Sequence, residues 1–228
     1  MKLVPEKCRA FLFDAYGTLF DVHSVALRAG IGLAGDLEGL SQLWRQKQLE
    51  FTWLRALMDR YHDFWQITEA ALRTALAQLH IEASESQVRR LLDGYLAPAV
   101  FPDAGAALDA LGDYPRAILS NGTPAMLHAA VRNNGLESRF ATIISADQVK
   151  TYKPSPRVYQ LGPQTLGLQA EEILFVSSNA WDAAGAKAFG YRVCWCNRSG
   201  RQMDLLGFAP DLVVTSLDQL PALARSLQ

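Results

Sequence analysis

Apolar positions along the chain recur with two different periods. Short runs at 9–13, 116–119, 142–145, 173–176, 192–195 and 212–214 are rich in β-branched and aromatic residues. They are too short for helices and predict strands, several of them apolar throughout, as strands buried on both faces are. From Phe101 onward each run is followed by a stretch of helical spacing, the pattern of a parallel sheet with crossover helices. The segment 124–134 opens with a proline in its first turn and closes on Gly135. Segments 156–166 and 180–189 read the same way, the second closing at Gly190. The predicted class is α/β.

Residues 22–98 break this rhythm. They contain no convincing strand, while 40–58, 64–79 and 85–96 carry apolar residues at helical spacing. A helical insertion therefore follows directly on the first strand, either as a linker bundle or as a lid. Ligands of parallel sheets bind outside the carboxyl ends of the strands, which favours the lid. The expected organisation is a discontinuous core, 1–21 with 99–228, and a helical cap, 22–98.

With 228 residues the chain can bury one sizeable core, and its net charge of −1 gives no support for nucleic-acid binding or adhesion to a membrane. No stretch approaches the roughly 18 apolar residues of a membrane span. The N-terminus is basic but lacks a long apolar core, so no signal peptide and a cytoplasmic location are expected. Cys8, Cys194 and Cys196 are too few for a disulfide framework. Cys194 and Cys196 fall on one strand face, but no Cys or His pair at matching spacing completes a metal site. His23, His62, His80 and His128 are scattered, without the serine or cysteine partner of a hydrolase triad. Tyr114-Pro115 and Phe101-Pro102-Asp103 read as loop punctuation. The Arg and Gln residues of 43–60 read as a solvated helix face or part of a subunit contact.

The chemistry gathers in four loops, each after a predicted strand: Asp14, Tyr16, Gly17 and Thr18; Ser120-Asn121-Gly122; Lys153-Pro154 through Tyr159; and Ser177 to Asp182. A parallel sheet brings all of them to one edge. Asp14, held rigid where a buried strand stops, is placed to act as a nucleophile. Two residues on stands Tyr16 rather than a second acid, and the fourth loop offers only Asp182. One or two carboxylates beside Lys153 make a poor cage for a hard cation. The residues argue for no metal and no cofactor, and for a substrate whose charge is met by protein donors.

In this order the motifs resemble the haloacid dehalogenase superfamily over nearly the whole chain. Asp-Ala-Tyr-Gly-Thr-Leu-Phe-Asp at 14–21, Ser-Asn-Gly at 120–122, Tyr-Lys-Pro-Ser-Pro-Arg-Val-Tyr at 152–159 and Ser-Ser-Asn-Ala-Trp-Asp at 177–182 look like its L-2-haloacid dehalogenase branch. Leu-Trp-Arg-Gln-Lys-Gln at 43–48 and Tyr-His-Asp-Phe-Trp at 61–65 match that branch too. The resemblance implies a Rossmann-like parallel sheet core with an all-helical cap inserted after the first strand. It also implies hydrolysis of short L-2-haloacids through an aspartyl ester on Asp14. The substrate carboxylate would meet the Ser120 hydroxyl and the N–H groups around Ala15 and Tyr16. The halide would meet Arg45, Asn121 and the edge of Phe64, with Trp181 walling the pocket. Asp182, oriented by Ser177 and Asn179, would serve the attacking water. Lys153 would keep Asp14 ionised, with Thr18 and Tyr159 as supporting donors. A homodimer is implied by the resemblance alone. The alternatives are a Mg²⁺-dependent phosphatase of the same fold, lacking here its second acid, and a catalytically idle binding relative.

Overall fold

The computed structural model describes residues 8–225. The basic start weighed for a signal peptide, and the outermost ends of 1–21 and 99–228, lie outside these described residues. In chain order the strands are β1 (Ala10–Phe13), β2 (Phe20–Asp21), β3 (Ala99–Val100), β4 (Arg116–Ser120), β5 (Thr142–Ser145), β6 (Ile173–Ser177), β7 (Arg192–Cys196) and β8 (Leu212–Val214). The helices are α1 (His23–Ala29), α2 (Leu37–Leu57), α3 (Phe64–Gln78), α4 (Glu85–Asp93), α5 (Ala104–Ala110), α6 (Pro124–Asn133), α7 (Pro156–Tyr159), α8 (Leu161–Leu166), α9 (Ala180–Phe189) and α10 (Leu220–Arg225).

Six strands form one sheet in the order β5-β4-β1-β6-β7-β8, with every neighbouring pair parallel. Successive side chains alternate between two cores. Phe11, Phe13, Ile118, Leu174, Val176, Cys194 and Cys196 join one, and Leu12, Ala117, Leu119, Phe175, Val193 and Trp195 the other. Burial on both faces explains why these strands read as continuous apolar runs. The chain steps outward from β1 through β4 and β5, then returns to lay β6 on the other side of β1. That reversal opens a crevice at the carboxyl ends of β1 and β6, the place where such sheets bind ligands.

Three departures from the sequence pattern have local causes. The segment 156–166 is two short helices, because Pro163 has no N–H to offer the Tyr159 carbonyl. The Tyr191 hydroxyl donates to that carbonyl instead, at 2.6 Å. The connection from β7 to β8, residues 197–211, holds no helix; Gly200 and Gly207 adopt left-handed φ of +64° and +82° within it, and Pro210 follows. The helix expected over 85–96 ends at Asp93 and finishes as a 3₁₀ turn, Gly94–Leu96.

The helical insertion begins and ends at β2 and β3, which pair antiparallel through Phe20↔Val100 and Asp21↔Ala99. This ribbon ties together the chain's entry and its exit. Inside the insertion, Asp36 and Asp63 cap α2 and α3 by accepting from Gly39 N and Gln66 N, each at 2.9 Å. Ser84 and Gln87 form a reciprocal capping box on α4. The stretch 43–60 is not merely a solvated face: Trp44, Gln48 and Thr52 are buried. Among the described residues no helix is long and apolar enough to cross a membrane.

Candidate active site

Asp14 leaves the sheet from a fixed main chain, its N–H still donating to the Val176 carbonyl at 2.9 Å. Gly17, at φ +96°, turns the chain back at once, and a Cβ there would stand 3.3 Å from the Asn179 amide. The Asp14 side chain is buried. Its Oδ1 accepts from Lys153 Nζ at 3.0 Å, and its Oδ2 accepts from Thr18 Oγ1 and Asn179 Nδ2, each at 2.9 Å.

Lys153 follows β5, and its own N–H donates to Asn121 Oδ1 at 2.9 Å. Its ammonium is 1% exposed and bridges two acids, lying 3.0 Å from Asp14 Oδ1 and 3.0 Å from Asp182 Oδ2. Asp182 stands in the first turn of α9, and the Tyr159 hydroxyl donates to its Oδ1 at 2.8 Å. Burial pushes the Asp182 carboxyl up to about 6; Lys153 pulls it back and Asp14 adds to the rise. Burial, and then the Asp182 charge, hold the Tyr159 phenol well above its ordinary range, so it remains a donor.

The second wall comes from the insertion. Arg45 on α2 donates through Nη2 to the Tyr16 carbonyl at 3.1 Å and through Nη1 to Gln48 Oε1 at 2.7 Å. Gln48 Nε2 in turn donates to Thr68 Oγ1 at 2.7 Å, and Thr68 to the Phe64 carbonyl at 2.6 Å. This buried ladder between α2 and α3 aims the guanidinium across to the loop after β1. Phe64 stacks on Tyr16 with centroids 6.1 Å apart, and the Tyr16 hydroxyl donates to the Tyr95 carbonyl at 3.3 Å. Trp181 meets Trp53 of α2 edge to face at 5.4 Å.

Several donors in the same place are left over. Ser120 Oγ accepts from Gly122 N at 3.2 Å, and among the described residues its own hydrogen has no protein acceptor. Among the described residues the N–H groups of Ala15 and Tyr16 and the Asn121 amide hydrogens have no protein acceptor. Gly122 is required for this closeness, since a Cβ would come within 2.9 Å of the Tyr16 ring.

The structure thus brings Asp14, Thr18, Lys153, Tyr159, Asn179 and Asp182 into one network, with Arg45, Phe64, Tyr16, Ala15, Ser120, Asn121 and Trp181 around it. One expectation is corrected. The Asn179 side chain holds Asp14, not Asp182, because the loop after β6 turns it toward Oδ2; Ser177 Oγ accepts from Asn179 N at 3.1 Å and shapes that loop. Asp182 is oriented instead by Lys153 and by Tyr159, which is the supporting donor expected of it and reaches the acid from its buried side. Sequence reasoning quoted Gln48 within the 43–48 motif but gave it no role, and it missed Thr68, which lies in no motif, and Ser145, which donates to the Gly122 carbonyl at 2.6 Å.

A divalent cation does not fit this donor set. The gap between the two acids is bridged by the Lys153 ammonium, and Asn179 and Thr18 give Asp14 two hydrogen-bond donors. Among the described residues, no group of three or more His, Cys, Asp or Glu side chains has the arrangement of a metal site.

The family model for haloacid dehalogenase-like hydrolases matches residues 8–190. The chain belongs to that family. It is 48% identical over 212 residues to an (S)-2-haloacid dehalogenase of Pseudomonas sp. (strain YL), covering 92% of this chain and 91% of the relative. It is 45% identical over 217 residues to haloacetate dehalogenase H-2 of Moraxella sp. (strain B), covering 94% and 97%. The solved structure of L-2-haloacid dehalogenase from Xanthobacter autotrophicus with chloropropionic acid covalently bound matches at a TM-score of 0.89 and 42% identity, covering 95% and 98%. In this haloacid dehalogenase-like hydrolase, Asp14 lies buried at the end of β1 and faces Asp182 across the Lys153 ammonium.

Proposed function

We propose that this enzyme hydrolyses short L-2-haloalkanoic acids to 2-hydroxyacids with inversion, through an ester on Asp14 and without a metal. The observation that carries the reading is one buried lysine clamped between two acids, with unpaired donors facing the same crevice. In the first step an Asp14 oxygen attacks C2 from the side opposite the halogen. The carbon–halogen bond breaks, and its electron pair leaves with the halide. Arg45, the Asn121 amide and the positive edge of the Phe64 ring receive that anion in a dry pocket. The substrate carboxylate is held by the N–H groups of Ala15 and Tyr16 and by the Ser120 hydroxyl.

In the second step Asp182 takes a proton from water as that water attacks Cγ of Asp14. Lys153 stabilises the oxyanion that forms there. The ester C–O bond on the Asp14 side then breaks, and the proton passes to the departing hydroxyacid, which keeps the oxygen that began on Asp14. Residues 22–98 act as the cap, moving about the β2–β3 ribbon. The exposed apolar end of α2, at Leu54, Leu57 and Met58, suits the homodimer that the resemblance implies.

Halide release from L-2-chloropropionate in excess chelator, with (R)-2-hydroxypropionate as product, tests this reading. No release, or release that the chelator abolishes, would contradict it. Arg45→Ala should lower kcat/KM by about 100- to 1,000-fold, or about 3–4 kcal/mol, by removing the cation at the halide; the loss should be largest for the poorest leaving group.

The raised carboxyl of Asp182 fixes the sign of the pH dependence. As pH falls through about 6 the group gains a proton and no longer accepts one from water. Halide displacement needs no proton acceptor and continues. Acid-quenched enzyme should therefore carry ester on Asp14 at about pH 5 and little of it at about pH 8, read by mass spectrometry.

A further inference from the structure

Arg198, in the turn after β7, is a residue that the mechanism above does not use. All three nitrogens of its guanidinium are engaged. Nε and Nη2 fork onto Asp103 Oδ2 and Oδ1, each at 2.9 Å. Nη2 also donates to the Thr18 carbonyl at 3.0 Å, and Nη1 to Ser178 Oγ at 2.9 Å. The group lies 4.0 Å above the Phe101 ring. Asp103 is fixed from its other side, accepting from Leu217 N at 2.9 Å and Ser216 Oγ at 3.1 Å. Phe101-Pro102-Asp103, which reads as plain loop punctuation, is thus an anchor.

Of the residues gripped, Thr18 is one hydrogen bond from the nucleophile and Ser178 is two. Thr18 Oγ1 donates to Asp14 Oδ2 at 2.9 Å and accepts from Ser178 N at 2.8 Å. They also flank both cap linkers: Thr18 and Leu19 precede β2, Phe101 to Asp103 follow β3, and Phe101 N donates to the Leu19 carbonyl at 3.0 Å. One cation therefore fastens the loop after β1, the loop after β6 and the chain returning from the cap. We infer that Arg198, braced by Asp103, is a positioning residue that sets the orientation of Asp14 through Thr18 and Ser178 and secures the base of the cap hinge. Its planar fork is what allows three acceptors at once; an ammonium on a flexible stem does not reproduce it.

This inference rests on the dehalogenase reading for its kinetic consequence, but not for its structural one. Arg198→Lys keeps the charge beside Asp103 and removes the fork. Hydrogen exchange by mass spectrometry should then show the Ser178 amide exchanging about 10-fold faster or more, with β4 unchanged. With L-2-chloropropionate, kcat should fall by about 10- to 100-fold, with KM changing by less than about 3-fold. In a Thr18→Ala background the same substitution should cost far less, because the hydroxyl through which Arg198 acts is gone. Wild-type exchange at Ser178, wild-type kcat, or an undiminished cost in the Thr18→Ala background would overturn the inference. If Arg198→Lys does not fold, Ser178→Ala decides. It removes one acceptor of the fork in a change too small to unfold the chain, and it should lower kcat by about 3-fold or more; unchanged kcat overturns the inference. Absence of halide release by the wild-type enzyme would count against the function, and the exchange experiment would still decide the clamp.

Discussion

Asp14→Asn should abolish steady halide release, lowering kcat by about 10,000-fold or more. The carboxamide fills the same volume, so the sheet and the cap keep their packing. Its nitrogen is not a nucleophile toward a saturated carbon, and its oxygen is a poor one. The hydrogen bonding reinforces the loss. Asp14 Oδ1 faces the Lys153 ammonium, while Oδ2 faces the donors of Thr18 and Asn179. Whichever way the amide turns, its NH₂ meets a donor, a mismatch costing about 1–3 kcal/mol. Halide release by ion-selective electrode, with the melting temperature beside it, checks both parts. Turnover within tenfold of the wild type would contradict the nucleophile assignment.

Lys153→Met should be nearly as damaging to rate and far more damaging to stability. The ammonium touches both Asp14 and Asp182, and all three groups are buried. Removing it leaves two carboxylates facing each other with no cation between them. Losing one partner of a buried ion pair costs about 3–5 kcal/mol, and the remaining acids reduce that cost by taking up a proton. A protonated acid at either position removes the nucleophile or the base, so turnover should fall by about 1,000-fold or more. Denaturant unfolding at about pH 5 and about pH 8 tests the cause. The variant's deficit should be smaller at the lower pH, where a proton replaces the missing charge. A deficit independent of pH would mean that lost packing, not charge, explains it.

Much of this architecture is legible in the sequence, for a definite reason. Strands buried on both faces appear as short apolar runs, and the order of the four loops follows from a parallel sheet. Asp14, Lys153 and Asp182 could be assigned to one edge before any distance was known. Other features leave no trace of that kind. Strands of two residues, β2 and β3, lie below any periodicity. Helix α1 has no side-chain cap; Asp21 accepts instead from His23 N and Ser24 N, at 2.9 and 3.3 Å. The aim of Asn179 depends on how two loops pack, so the sequence shows its presence and not its partner. Gln48 and Thr68 look like ordinary polar residues on amphipathic helices until α2 meets α3 and buries them as the support of Arg45.

The central claim concerns which atom carries oxygen to the product. A single turnover of L-2-chloropropionate in H₂¹⁸O, with enzyme in excess, decides it. Attack of water on the ester carbonyl predicts ¹⁸O in the carboxyl group of Asp14, found by mass spectrometry of the digested protein, and an unlabelled hydroxyacid. Label in the hydroxyacid with Asp14 unlabelled would mean that water attacks the substrate carbon directly, and the ester mechanism would be wrong.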